Sequence, residues 1–205
     1  PSATGSSSLA EGRKEQWRRT KSGLGATDAA QIDSLSSLYV AELQELNSAE
    51  AQLSAVLKQL PGTLQSQDLE SHLVGYATEI HARHEDLERI LRSRGVDPGA
   101  HPDDAMHALV LETKKMQQVC SEAVRDAAVL ASVQRLVHFK IAGYGTVATY
   151  ATFLDRSEDA SRLAEYADRD KEFDEELSVL AKQVVNPTAA ATENFRPRPG
   201  VTARH

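Results

Sequence analysis

Two stretches of the sequence place acidic side chains on the face where an amphipathic helix carries its apolar residues. When residues are projected at about 100° each, Glu42 and Glu50 fall inside one apolar stripe. Asp170 and Asp174 fall inside a second stripe near the C-terminal end. An ionised carboxylate in a dry interior is costly unless a cation or a metal ion compensates its charge. The four acids therefore predict either a cluster of buried ion pairs or a metal site.

Basic side chains on two further amphipathic stretches are the predicted partners of these acids. Arg83 lies inside the edge of one apolar stripe, and Lys140 lies within another. A lysine can lay its aliphatic stem along apolar neighbours and bring its ammonium group among buried acids. The first interpretation is therefore a buried charge cluster that comprises Glu42, Glu50, Arg83, Lys140, Asp170 and Asp174.

Two histidines support an alternative interpretation. His81 and His84 are separated by three positions, a spacing that brings two imidazoles to one side of a helix. Together with carboxylate oxygens they could form a mononuclear site for zinc or iron, with manganese as a further candidate. A histidine at the border of an apolar stripe is more often an ordinary interfacial residue. The ligands of this alternative site would be Glu50, His81, His84, Asp170 and Asp174.

The elements that must position these groups are predicted to be helices. Apolar residues recur at helical spacing over four long segments, and no strand-like alternation is present. Turn residues separate the segments, among them Pro61-Gly62, Gly95 and Asn186-Pro187. The long helices are expected at 28–60, 66–94, 123–154 and 157–185, and a shorter helix at 103–121. The predicted fold is an all-α four-helix bundle with one short extra helix between helices two and three.

Other residues on these helices are expected to contribute to packing. Core tyrosines of a bundle are usually packing residues, so no chemistry is assigned to Tyr39, Tyr76, Tyr144 and Tyr166. The run Ala-Gly-Tyr-Gly-Thr lies in the middle of the third long helix. Its glycines, Gly143 and Gly145, are expected to permit close contact between helices.

The two ends of the chain are predicted to lie outside the bundle. Residues 1–27 are rich in Ser and Gly and then basic, which is typical of a disordered segment or a docking arm. Residues 28–186 form the predicted bundle domain. Residues 187–205 show no apolar periodicity and are predicted to be a flexible tail.

Composition excludes several classes of partner. The net charge of −7 argues against nucleic acid as a partner of the folded domain. No apolar run approaches the roughly 18 residues needed to span a bilayer, so no membrane association is expected. The single cysteine, Cys120, excludes an intrachain disulfide and is compatible with a reducing compartment. The expected location is the cytoplasm.

Four motifs resemble one family of ferritin-like proteins. They are NSAEAQL at 47–53, HARHEDLERI at 81–90, VRDAAVLASVQRLVHFKIAGYGTVATYA at 124–151 and DRDKEFDEELSVLA at 168–181. On these motifs the sequence resembles the YciE/YciF family over roughly residues 33–185. The resemblance implies a ferritin-like bundle, a homodimer or higher homo-oligomer and a stress-associated role in bacteria. It also allows for a dinuclear metal centre.

The sequence departs from the family at positions that would hold metal. Glu50 keeps the family's glutamate, but Lys140 replaces a glutamate on the third long helix, and Val137 replaces another. On the second helix, Arg83 stands within the segment where the family carries its acids. An ammonium group in place of a carboxylate removes a metal ligand and repels a cation.

These departures favour the first of the two interpretations. We favour a non-enzymatic, stress-associated or structural protein in which a buried salt-bridge cluster around Lys140 replaces an ancestral dinuclear metal centre. The alternative is a metal-binding oxidoreductase or iron-handling protein with a modified site of histidines and carboxylates.

Overall fold

The structure is a computed structural model that describes residues 31–193. The predicted arm at 1–27 and residues 194–205 of the predicted tail lie outside the described residues. The described chain contains no strand and forms helices α1 (Leu35–Leu57), α2 (Gln67–Ser93), α3 (Asp104–Val119), α4 (Glu122–Phe153) and α5 (Ser157–Leu180), then a π-helical turn (Ala181–Val185) and α6 (Asn186–Glu193). The predicted all-α bundle, with a short helix between the second and third long helices, is confirmed. Within residues 31–193, no helix is both long and apolar enough to cross a lipid bilayer.

Helix α1 begins at Leu35, so residues 31–34 of the predicted helix are not helical, and its predicted positions 28–30 lie outside the described residues. A capping box determines this start: the hydroxyl of Ser34 accepts a hydrogen bond from Ser37 N, and the hydroxyl of Ser37 accepts one from Ser34 N. These two bonds satisfy amide groups that have no partner within the helix. Residues 31–33 precede the box and are not helical.

Glycines in the left-handed region follow the first two helices. Helix α1 ends at Leu57, three residues before its predicted end, and Gly62 in the following turn has a φ of 77°. Helix α2 ends at Ser93, and Gly95 has a φ of 70°. A residue with a side chain is strained at such angles. The predicted stops at these two glycines are therefore confirmed.

The predicted end of the last helix, before Asn186-Pro187, is wrong. The chain passes through the π-helical turn and remains helical to Glu193. Asn186 N donates to Ala181 O, five residues earlier, so the turn is wider than an α-helical turn. Pro187 then lies in the first turn of α6, where a missing amide hydrogen costs little.

Two apolar clusters fill the bundle, and a charged layer lies between them. One cluster includes Leu53, Ile80, Val137 and Phe173 of the four long helices. The other includes, from the same helices, Leu46, Leu87, Tyr144 and Leu163. Each long helix carries a buried charged residue of this layer where the chain passes from one cluster to the other, and these residues are Glu50, Arg83, Lys140 and Asp170.

Helices α1 and α4 approach closely beside this layer. A Cβ atom added to Gly143 would lie 2.9 Å from Leu46 Cδ2, whereas one added to Gly145 would meet nothing within 4 Å. The predicted role of these glycines in close helix contact therefore holds for Gly143 alone. Gly145 lies on the exposed side of α4.

Candidate functional site

The charged layer brings together one side chain from each long helix. Glu50, Lys140 and Asp170 have no exposed surface, and Arg83 is 5% exposed. Lys140 Nζ lies 2.9 Å from Glu50 Oε2 and 3.3 Å from Asp170 Oδ2. Arg83 Nη1 donates a hydrogen bond to Asp170 Oδ1. Two cations therefore face two anions, and the formal charge of these four groups sums to zero.

Two tyrosines complete the layer. Tyr76 OH donates to Asp170 Oδ1 at 2.7 Å and accepts from Lys140 Nζ at 3.2 Å. Tyr144 OH donates to Glu50 Oε1. Each carboxylate thus directs one oxygen to a tyrosine and the other to Lys140. The contacts of Lys140 with the second oxygens are ion pairs, since none of the described residues donates a hydrogen bond to Glu50 Oε2 or Asp170 Oδ2.

Burial and neighbouring charges set the protonation of these groups. Burial raises the pKa of Glu50 above its ordinary value of 4.5, although the charge of Lys140 opposes this shift. Burial, together with negative neighbours, raises the pKa of Tyr76 and of Tyr144 well above 10, so both remain hydrogen-bond donors. Burial alone would lower the pKa of Arg83, but the charges of Asp170 and Glu50 raise it, so the guanidinium stays charged.

Aromatic rings enclose the ammonium group of Lys140. Its Nζ lies 5.2 Å from the ring centre of Tyr76 and 5.8 Å from that of Tyr144. The ring of Tyr76 stacks on Phe173 with centroids 3.7 Å apart. Rings at these distances attract a cation and exclude water. The charges of the layer therefore interact in a medium of low polarity, where each interaction is stronger than it is in water.

Two predicted members of the charge cluster lie outside the layer. Glu42 is half-buried and precedes Glu50 by eight residues, which is about 12 Å along a helix. No hydrogen bond or ion pair among residues 31–193 joins Glu42 to Lys140. Asp174 lies at the edge of the core, where it accepts from Gln134 Nε2 at 3.0 Å and pairs with His138 Nε2 at 3.1 Å. Four of the six predicted residues converge.

The histidines of the alternative site lie apart from the layer. His81 is exposed, and its Nε2 is 3.7 Å from Glu85 Oε1. His84 is half-buried. Arg83 lies on the face of α2 that is directed towards the core. His81 and His84, two positions before it and one position after it, therefore project in other directions. In the described part of the chain, no group of three or more His, Cys, Asp or Glu residues is arranged to hold a metal ion.

The side chains of the layer do not provide the ligands that a dinuclear metal centre requires. Such centres in ferritin-like bundles take carboxylates from all four helices and two histidines. Here the second and third long helices contribute the cations Arg83 and Lys140, and the two free carboxylate oxygens both face the Lys140 ammonium group. We therefore derive no chemistry through a metal pair at this site.

Sequence reasoning missed the chemical role of the four core tyrosines. Each was expected only to pack, yet each hydroxyl donates to a carboxylate. The acceptors of Tyr39, Tyr76, Tyr144 and Tyr166 are, in the same order, Asp159, Asp170, Glu50 and Asp86. A usable signal existed for Tyr76 and Tyr144, because a buried tyrosine hydroxyl usually requires a partner and their acceptors, Asp170 and Glu50, were among the predicted inward acids.

A buried carboxylate outside the layer, Asp86, was also missed. Asp86 is 8% exposed, accepts from Tyr166 OH at 2.8 Å and lies 3.3 Å from Arg162 Nη1. It belongs to α2 at the border of the apolar stripe, so its position alone did not mark it as buried. Its two partners, Arg162 and Tyr166, are four residues apart on α5 and therefore lie on one face of that helix. This pair is the sequence feature that could have indicated an acid opposite it.

Comparison with known proteins relates the chain to a family and to a curated relative. A sequence model of the family described as Domain of unknown function (DUF892) matches residues 34–190. Protein YciF of Escherichia coli (strain K12) is 28% identical over 160 residues, which are 77% of this chain and 96% of that protein. The predicted resemblance to YciE/YciF proteins is confirmed.

Two solved structures share the fold. The crystal structure of the E. coli stress protein YciF matches with a TM-score of 0.68 and 26% identity, over 80% of this chain and 100% of that chain. YcfI from Rhodopseudomonas palustris, for which a structural role has been suggested, matches with a TM-score of 0.68 and 23% identity, over 73% of this chain and 96% of that chain.

Proposed function

The chain belongs to the DUF892 family, and on that premise we propose that it is a non-enzymatic protein with a stress-associated or structural role. In this proposal, the ion pairs around Lys140 take the place of an ancestral dinuclear metal centre. The E. coli relative is described as a stress protein, which supports the stress-associated part. We further propose a homodimer or higher homo-oligomer, which the family resemblance implies, and a location in the cytoplasm, with which the single cysteine is compatible.

The observation that carries the proposal is the position of one ammonium group. Lys140 Nζ lies between the free oxygens of Glu50 and Asp170, at 2.9 Å and 3.3 Å, where a bound cation would otherwise bridge them. A metal ion at that point would have to displace a positive charge that is already compensated. Metal binding would therefore leave the ammonium group buried without an anion, which is unfavourable.

Metal analysis of the purified full chain tests the proposal. After expression in medium supplied with iron, manganese and zinc, elemental analysis should find well below one ion of any of these metals per chain. Two tightly held ions per chain would refute the proposal and support the alternative, a metal-binding oxidoreductase or iron-handling protein. That alternative requires His81, which is exposed and paired with Glu85, to turn inward.

The substitution Lys140→Glu distinguishes the two readings in a second way. If Lys140 neutralises the layer, a third acid beside Glu50 and Asp170 should destabilise the fold at neutral pH by at least the cost of breaking a buried pair, about 3–5 kcal/mol. Added divalent metal should restore part of that stability. Urea unfolding with and without metal measures both effects. If a metal site already exists, the variant should instead retain its stability and hold as much metal as the wild-type chain, or more.

A further inference from the structure

We propose that Lys140 and Glu50 react to form an intramolecular amide bond that joins α4 to α1 covalently. The proposal rests on the proposed function in one respect: an ammonium group, and not a metal ion, must occupy the space between the acids. It goes further, because it assigns a covalent modification to two side chains of the layer.

The geometry places a nucleophile beside an acyl group in a dry site. Lys140 Nζ and Glu50 Oε2 are 2.9 Å apart, and neither side chain has any exposed surface. Their contact is an ion pair in which Oε2 receives no hydrogen bond from the described residues, so its lone pairs can take up the protons with which it leaves as water. Desolvated lysine amines are effective nucleophiles, and reactants held in contact gain a large rate advantage.

Two neighbours are positioned to assist the reaction. Asp170 Oδ2 lies 3.3 Å from Lys140 Nζ and also receives no hydrogen bond from the described residues, so it can accept a proton from the ammonium group. Tyr144 OH donates to Glu50 Oε1, where it can stabilise negative charge that develops on that oxygen. Arg83 and Tyr76 hold Asp170 in place through its other oxygen.

The reaction balances without an external reagent. Asp170 takes a proton from the Lys140 ammonium group, and the resulting amine forms a C–N bond to Glu50 Cδ. The bond from Cδ to Oε2 then breaks. Oε2 leaves as water with two protons, one returned by Asp170 and one from the attacking nitrogen. The net change is one ammonium and one carboxylate converted to one amide and one water molecule.

Charge balance selects Glu50, and not Asp170, as the acyl partner. An amide between Lys140 and Glu50 removes one positive and one negative charge and leaves Arg83 paired with Asp170. An amide with Asp170 would instead remove the anion that Arg83 contacts. Converting a buried ion pair to a neutral amide also relieves the desolvation cost of two charges, which favours the product in this site.

The bond would close a covalent loop between two long helices. The linked residues are 90 positions apart in the chain (140 − 50 = 90) and belong to α1 and α4. A cross-link that closes a loop of this length restricts the unfolded chain. A protein with a stress-associated or structural role would thereby resist unfolding without a disulfide, which its single cysteine cannot form within one chain.

Intact mass spectrometry of the denatured full chain tests the proposal. We expect a species lighter than the sequence mass by one water molecule, whose share increases with time after folding. Digestion should yield a branched peptide that joins the segments containing Glu50 and Lys140. A wild-type chain that retains the full sequence mass after prolonged incubation overturns the proposal, as does a loss of water that maps to other residues.

Matched variants sharpen the result. Lys140→Arg keeps the positive charge but should show no mass loss, and Glu50→Gln should lose one ammonia molecule in place of water. The wild-type mass decides the question even where a variant does not fold. Metal content is an independent measurement, so a metal-free chain of full mass overturns the cross-link alone, whereas two ions per chain overturn the proposed function itself.

Discussion

At the scale of single residues, the ammonium group of Lys140 connects the two buried acids. Without it, the layer would keep one cation, Arg83, which pairs with Asp170, and the buried Glu50 would have no ion-pair partner among the described residues. Removal of one partner from a buried ion pair is far more costly than replacement of the whole pair by neutral groups.

The substitution Lys140→Met should destabilise the fold at pH 7 by about 3–5 kcal/mol, because it leaves a buried acid uncompensated. The matched control carries Glu50→Gln as well, which restores one cation and one anion in the layer. Neither variant can form the amide from an ammonium group at position 140. Urea unfolding should find the double variant more stable than the single one, and equal stabilities would contradict the account.

The pH dependence of Lys140→Met follows from the raised pKa of Glu50. Burial raises this pKa above 4.5, and the variant lacks the lysine charge that opposes the shift. A group whose pKa is raised by folding contributes its full stability at a pH below its pKa in the unfolded chain. That stability is lost as the pH rises through its pKa in the folded chain. The single variant should therefore gain stability relative to the double variant as the pH falls from 8 to 5. Unfolding free energies measured at each pH test the sign, and a constant difference would show that Glu50 has an ordinary pKa.

Which charges are buried was more predictable from sequence than which groups they contact. Glu50, Lys140 and Asp170 stand out because a charge on an apolar stripe is a local feature of one helix. Tyr76 pairs with Asp170, and Tyr144 pairs with Glu50. These pairings depend on how far one helix is displaced along its axis relative to the next, about which a single sequence carries no information.

At the scale of elements, close packing of α1 against α4 depends on Gly143. Glycine in a helix interior costs roughly 0.5–1 kcal/mol relative to alanine. Gly145→Ala should regain about that amount, because nothing lies within 4 Å of the added Cβ. Gly143→Ala should stabilise less or destabilise, because its Cβ would meet Leu46, which is 3% exposed. Thermal unfolding of the two variants measures the difference, and a more stable Gly143→Ala variant would contradict the packing described here.

Helix boundaries were predictable where a local signal ends the helix. Gly62 and Gly95 adopt left-handed angles that other residues avoid, so their sequence positions marked real stops. Pro187 misled the prediction because the π-helical turn before it changes the hydrogen-bond register. A widened turn depends on packing as well as on local sequence, so it has no comparable signature.

At the scale of the whole molecule, the charged layer aligns the four long helices. It separates two apolar clusters that would tolerate some sliding of one helix along another, because apolar contacts are not directional. If one helix slid by a turn, at least one of the four buried charges would lose its partners, which is costly. We therefore interpret the layer as a determinant of helix register, in addition to its proposed role as a replacement for metal.

The measurement that tests the central claim most directly is a crystal structure with diffraction data collected at the absorption edges of iron, manganese and zinc. The account predicts no anomalous peak in the layer and electron density for the Lys140 nitrogen between Glu50 and Asp170, either as an ammonium group or joined to Glu50 as an amide. An anomalous peak coordinated by those two acids, with Lys140 turned out to solvent, would contradict it.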